Sequence, residues 1–171
     1  MFAAILIIFL AVVGYVISQP PRQPAGIGEI APDFTLTVVT ATGLSNQSLT
    51  LSSFRGKVVF LEFMVSSCHV CQQMAPSIED LSQKYQGQDA VFLSVAGTLN
   101  GGTAESTASF IREYHSSWTY VLDADTSVFR AYRIGATPTF LIIDRSGVIL
   151  SRLQGTISAD ALSSAIDRAL S

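Results

Sequence analysis

The sequence predicts an α/β domain: one central mixed sheet with helices on both faces and an extra strand pair on its N-terminal side. Two β-prone runs, residues 58–65 and 90–96, are almost continuous in apolar side chains, as strands covered on both faces are. From Cys68 the apolar period changes to three and four, so that Cys71, Met74, Ile78, Leu81 and Tyr85 share one helix face. The two kinds of segment then alternate as β-α-β-α-β-α-β-β-α, and strands separated by helices imply right-handed crossovers.

The chain has 171 residues and divides into three parts. Residues 1–18 are expected to be an N-terminal membrane anchor or signal segment, 19–30 a Pro/Gly-rich linker, and 31–171 the domain. Residues 2–17 are an apolar run with no charged side chain. As a helix the run reaches about 25 Å, the short end for a bilayer core of about 30 Å. A buried core helix normally keeps a polar face, and this run has none. A cleaved signal peptide wants small residues at its end, and Val16-Ile17-Ser18 is a poor site. An uncleaved anchor is therefore expected, with secretion after cleavage as the alternative. Charge does not set its orientation, because no Lys or Arg precedes the run and Arg22 follows it closely. The stretch 18–28 is rich in Pro and Gly and reads as a partly stiff spacer.

Within the domain, residues 31–39 alternate well enough for a strand. Residues 43–47 read as a turn, 49–51 as a short return strand and 52–57 as a connecting turn. The strand 58–65 leads into the helix that opens at Cys68 and closes at Gly87. Residues 103–115 and 126–132 are expected to be helical, and 119–122 a short strand. Residues 139–143 and 148–153 form a hairpin across Asp144-Arg145-Ser146-Gly147. Ser158 caps a last helix that keeps Leu162, Ala165, Ile166 and Ala169 on one face.

Hydrophobic residues make up 49% of the chain and charged ones 13%, with a net charge of −3. All side-chain charges lie from Arg22 onward, and the basic residues are scattered, so nothing marks a nucleic-acid partner. The two cysteines stand three apart. A secreted disulfide scaffold uses more of them at wider spacing. A C-x-x-C ring closes too short a loop to stabilise much, which argues against a structural role.

Cys68-His69-Val70-Cys71 follows a buried strand directly and opens a helix, and this placement matters more than the string. A thiolate is the nucleophile of disulfide exchange, and free N–H groups and the dipole at a helix N-terminus stabilise it. Cys68 holds that place. It is expected to attack a partner disulfide, and Cys71 to resolve the mixed disulfide that results. Half a zinc site and two inert core cysteines are the competing readings. The zinc site lacks ligands, since His69 and His115 are the only histidines. Glu62 sits inside the apolar strand, six residues before Cys68. A carboxylate there is costly to bury without a task, so it is expected to exchange a proton with Cys71; otherwise it reaches solvent at the strand end. Thr137 and Pro138 precede the strand 139–143. Pro138 either begins that strand or forms a cis turn facing the cysteines that leaves the Thr137 backbone for a bound peptide. Local sequence favours trans, since about 5–6% of X-Pro bonds are cis.

Phe60-Leu61-Glu62-Phe63, Cys68-x-x-Cys71, Pro76 and Gly135-Ala136-Thr137-Pro138-Thr139-Phe140 together resemble the thioredoxin superfamily. Ala31-Pro32-Asp33-Phe34 and Leu51-Ser52-Ser53-Phe54-Arg55-Gly56-Lys57 are similar to its membrane-anchored TlpA/ResA-type branch. The resemblance spans about residues 31–170. It implies a thioredoxin-like fold, a cis bond at Pro138, Glu62 in the place of the buried acid, and Pro76 as the residue that kinks the active-site helix. It implies a membrane-anchored thiol–disulfide oxidoreductase with its domain outside the cytoplasm and no cofactor. Such a protein is expected to act on protein disulfides or dithiols, to be reset by a redox partner, and to be monomeric. There are departures. Ser67 stands where the family has Trp, and Met74 where cytochrome-maturation members often have Glu. His69 and Val70 replace the usual pair between the cysteines and are the residues expected to tune it; His69 either steadies the Cys68 thiolate or points to solvent. A peroxiredoxin-like thiol peroxidase is the alternative enzyme, but Met64 and Cys68 occupy its Pro and Thr places. A copper-delivery protein of this fold is the alternative from another class; it uses C-x-x-x-C, one residue longer, with His115 as a candidate third ligand. The intact C-x-x-C argues against a redox-inactive binding module.

Overall fold

The structure is a computed structural model and describes residues 25–171. The expected anchor at 1–18, and half of the expected linker, lie outside the described residues. Among the described residues no helix is long and apolar enough to cross a membrane.

Seven strands form one sheet: β1 (Thr35–Thr40), β2 (Gly43–Thr50), β3 (Val58–Met64), β4 (Ala90–Gly97), β5 (Thr119–Asp123), β6 (Thr139–Ile143) and β7 (Ile149–Gln154). Among the described residues four α-helices accompany it: α1 (His69–Lys84), α2 (Ala104–Glu113), α3 (Ser127–Ala131) and α4 (Ala159–Leu170). The strand order is β2-β1-β5-β4-β3-β6-β7. β3 pairs parallel with β4, and β4 with β5, while the outer strands pair antiparallel. This is the expected thioredoxin-like mixed sheet, with β1 and β2 as the added pair at one edge.

β3 is buried along its whole length because helices cover both sides of it. Its alternate residues Val59, Leu61 and Phe63 join Val128, Phe129 and Tyr132 of the α3 segment on one face. Val58 and Phe60 join Ile78 and Leu81 of α1, and Leu162 and Ile166 of α4, on the other. Each such side chain contributes about 1.5–3 kcal/mol on burial. Phe60 stacks on Phe92 at 4.7 Å and lies 5.5 Å from Phe140. The buried Tyr85 hydroxyl ties α1 to α4 by donating to Asp167 at 2.6 Å. Glu62 and Met64 point to the same face as Phe60, by the two-residue period of the strand.

Two local expectations need correction. Residues 43–47 are not a turn, because β2 runs unbroken from Gly43 to Thr50. Its middle side chains face solvent and leave no apolar alternation, yet its backbone pairs with β1, Leu44 opposite Val39 and Leu49 opposite Leu36. The segment before β1 also packs more than a spacer would. Ala25 is buried in the core, and the Gly28 N–H donates to the Ile149 carbonyl at 2.8 Å.

Candidate active site

The site forms where β3 ends and α1 begins. Cys68 is the N-cap of α1, with extended backbone, and the Cys71 N–H donates to its Sγ at 3.2 Å. One of the unpaired donors of the first helical turn therefore points at this sulfur. As a thiol, Cys68 donates in turn to the Thr137 carbonyl at 3.3 Å. The Thr137–Pro138 bond is cis, as the resemblance implies and against the preference of the local sequence. Both cysteines are free, Cys68 partly exposed and Cys71 0% exposed. That difference decides which sulfur a partner protein can reach.

Burial, followed by the Glu62 carboxylate, pushes the Cys71 thiol well above the ordinary cysteine range. Cys71 is therefore held in its protonated form unless a nearby group takes the proton. Glu62 is 2% exposed, and burial raises its pKa from 4.5 to about 7, against the opposing effect of a hydrogen bond from Ser94. No basic side chain offsets its charge in that balance. Its charge is one of the causes that raise the Cys71 thiol.

Two further residues belong to this network. The Ser94 hydroxyl donates to Glu62 Oε2 at 2.5 Å, and the Trp118 indole N–H donates to the same Ser94 oxygen at 2.7 Å. An indole only donates. It occupies one lone pair of Ser94 and leaves the hydroxyl proton for Glu62. Ser94 was legible: it interrupts the apolar run of β4, and parallel pairing sets it beside Glu62 in register. Trp118 carries no such local signal.

Of the remaining expected residues, His69 is exposed and its Nε2 pairs with Gln73 at 3.0 Å, one turn along α1. No hydrogen bond among the described residues joins it to Cys68. Val70 is half-buried against the core between α1 and α4. Pro76 lies inside α1, where it removes a backbone donor. His115, the third ligand of the copper reading, follows the end of α2 and does not join the cysteines. Among the described residues no group of three His, Cys, Asp or Glu side chains is placed to hold a metal ion.

Residues 27–152 match the AhpC/TSA family. The chain is 31% identical over 164 residues to the thiol-disulfide oxidoreductase ResA of Geobacillus kaustophilus, covering 94% of this chain and 89% of that protein. It is 24% identical over 161 residues to ResA of Bacillus anthracis, covering 92% and 88%. Among solved structures, a candidate thiol:disulfide interchange protein DsbE from Chlorobium tepidum superposes with a TM-score of 0.75 at 28% identity, over 85% of this chain and 99% of that one. The thioredoxin domain of a thiol-disulfide oxidoreductase from Bacteroides vulgatus shares the fold, with a TM-score of 0.73 at 22% identity over 85% and 99%.

Proposed function

Because the chain belongs to the AhpC/TSA family and is a thiol–disulfide oxidoreductase of the ResA type, we propose that Cys68 is its attacking sulfur, Cys71 its resolving sulfur and Glu62 the group that exchanges Cys71's proton. The observation that carries this reading is the asymmetry of the pair. Cys68 is partly exposed at the helix N-cap, 3.3 Å from the Thr137 carbonyl, whereas Cys71 is fully buried and feels the Glu62 charge.

The steps follow from that arrangement. Loss of the Cys68 proton leaves a thiolate facing the Cys71 N–H and frees the Thr137 carbonyl to accept an N–H of a bound peptide. The thiolate attacks one sulfur of a partner disulfide; the new bond joins Cys68 to the partner, and the partner's other sulfur leaves as a thiolate. Cys71 then passes its proton to the Glu62 carboxylate and attacks Cys68 Sγ, which releases the partner's second sulfur. Two electrons leave the dithiol and no cofactor takes part. The same steps reversed oxidise a partner dithiol. Thr137 and Pro138 line the approach, and His69 and Val70 tune the pair from between the cysteines.

The apolar run of residues 2–17 supports a membrane tether, and the likeness to ResA supports a domain on the outer face; signal cleavage and secretion is the second form. The partners are protein disulfides or dithiols, together with a redox protein that resets the pair. Dithiol-driven reduction of insulin tests the reading. The domain should catalyse it and Cys68→Ser should abolish it, whereas undiminished activity of Cys68→Ser would overturn the assignment.

A further inference from the structure

A groove of about 470 Å³ opens between the loop after β4 and the α3 segment. Leu99, Phe129, Ile134 and Gly135 make its apolar part, and Arg130 and Arg133 its rim. Both of its sides connect to the reaction centre. Leu99 belongs to the loop after β4, whose Asn100 carbonyl accepts from Ser67, the residue before Cys68, at 3.4 Å. Gly135 stands two residues before Thr137, whose carbonyl meets Cys68 Sγ.

The groove's shape is written into two glycines. A Cβ at Gly97 would lie 2.6 Å from the Phe129 ring, and one at Gly102 would lie 2.2 Å from the Gly97 carbonyl. Only backbone without side chains lets the loop fold back this closely and set Leu99, 43% exposed, on the edge of the groove.

The charge at the groove is opposite to that of the chain, whose net charge is −3. Two arginines line it and no acidic side chain does. Arg130 is held in place by the Asp125 carbonyl at 2.9 Å and the Thr126 hydroxyl at 2.6 Å. Arg152 adds a third cation, donating to the carbonyls of Tyr132 and Arg133, each at 2.9 Å. The neighbouring acids lie outside the groove: Asp125 binds the Ser127 N–H at 3.0 Å and feels the Arg130 charge, and Glu29 and Asp33 share a second cavity with Arg130 and Arg133. Among the described residues none of these arginines is in an ion pair; the one pair joins Arg112 to Glu105.

We propose that this groove binds the partner residues flanking the reacting cysteine and selects segments that place an apolar side chain over Leu99, Phe129 and Ile134 and a carboxylate beside Arg130 and Arg133. Gly135 of the groove and Thr137 at the sulfur are two residues apart, at most about 7 Å of extended chain, so the selected carboxylate is placed within a few residues of the partner's cysteine. The groove acts in the first exchange, by holding the partner while Cys68 attacks. The inference therefore rests on Cys68 being the attacking sulfur.

The test uses the full reduced chain and disulfide peptides of one sequence that differ at a single position, Glu, Gln or Lys, three residues from the cysteine and next to a Leu. The Glu peptide should react faster than the Lys peptide by roughly three- to ten-fold at low ionic strength. The gap should close near 0.5 M salt, where exposed charges are screened over about 4 Å. Arg130→Glu with Arg133→Glu should reverse the order; Arg133→Glu alone, at an exposed side chain, should narrow it if the double variant folds poorly. Oxidised 2-mercaptoethanol, a neutral disulfide, should react equally with wild type and variants. Equal rates for the Glu and Lys peptides, or an order the variants leave unchanged, would overturn the groove's role. Reaction of Cys68→Ser with the neutral disulfide at the wild-type rate would instead overturn the assignment of the attacking sulfur.

Discussion

Glu62→Gln should stabilise the reduced protein, by an amount that depends on pH. Burial raises the Glu62 pKa from 4.5 to about 7, so the folded state holds this proton more tightly than the unfolded chain does. Below about pH 4.5 the carboxyl is neutral in both states and contributes no penalty. As pH rises the unfolded chain gives up its proton first, so stability falls across the window from 4.5 to about 7 and is then constant. At about 1.4 kcal/mol for each pH unit between the two values, the charged form costs the fold about 3 kcal/mol above neutrality. Glutamine keeps the shape and a carbonyl that can accept from Ser94, and it does not titrate. Urea unfolding of wild type and variant between pH 4 and pH 8 reads the difference directly. The two should coincide near pH 4 and separate by about 3 kcal/mol at pH 8, with the variant more stable. A difference that stays flat across this range would refute the reasoning, because it would mean that Glu62 titrates alike in both states. The same variant should slow resolution by Cys71 and flatten its pH dependence near neutrality, while leaving attack by Cys68 little changed.

Ser94→Ala removes the hydrogen bond that opposes the rise in the Glu62 pKa. The pH midpoint of the resolution step should therefore move upward, and Ser94→Thr, which restores a hydroxyl, should bring it back; stopped-flow rates across pH 5–9 measure both. Trp118 is the only tryptophan of the chain and bonds to Ser94, so its fluorescence should titrate with Glu62 near pH 7 and become flat in Glu62→Gln. Alkaline washing of membranes should leave the full-length protein in the pellet, and deletion of residues 1–18 should release it; release of the full-length chain would remove the tether.

The sheet was legible wherever side chains were buried on a regular period. β3, β4 and β6 read as apolar runs because they lie inside the molecule, and α1 and α4 read from the spacing of their buried faces. β2 was misread for the opposite reason: as an edge strand it is held by backbone pairing with β1, while Ser45, Asn46, Gln47 and Ser48 carry turn-like side chains. At the site, Glu62 could be found because it breaks an apolar run, and Cys68 and Cys71 because their C-x-x-C stands where that strand gives way to a helix. Ser94 could have been found by the same rule, since two polar residues in adjacent buried strands share one register. The cis bond before Pro138 was not legible locally. It depends on tertiary context, and only the joint resemblance of distant motifs pointed to it. Trp118 and the groove of Leu99, Phe129 and Ile134 are legible only after folding, because the topology draws them from separate segments.

The central claim is the division of labour between the two sulfurs, and trapping of partners tests it most directly. Cys71→Ser removes the buried sulfur that ends each exchange, so it should accumulate mixed disulfides between Cys68 and its partners, resolved on a non-reducing gel and released by dithiothreitol. Cys68→Ser keeps only a sulfur that is 0% exposed, with its thiol pushed well above the ordinary range, and should trap almost nothing. Trapping by Cys68→Ser equal to or greater than that by Cys71→Ser would contradict the account.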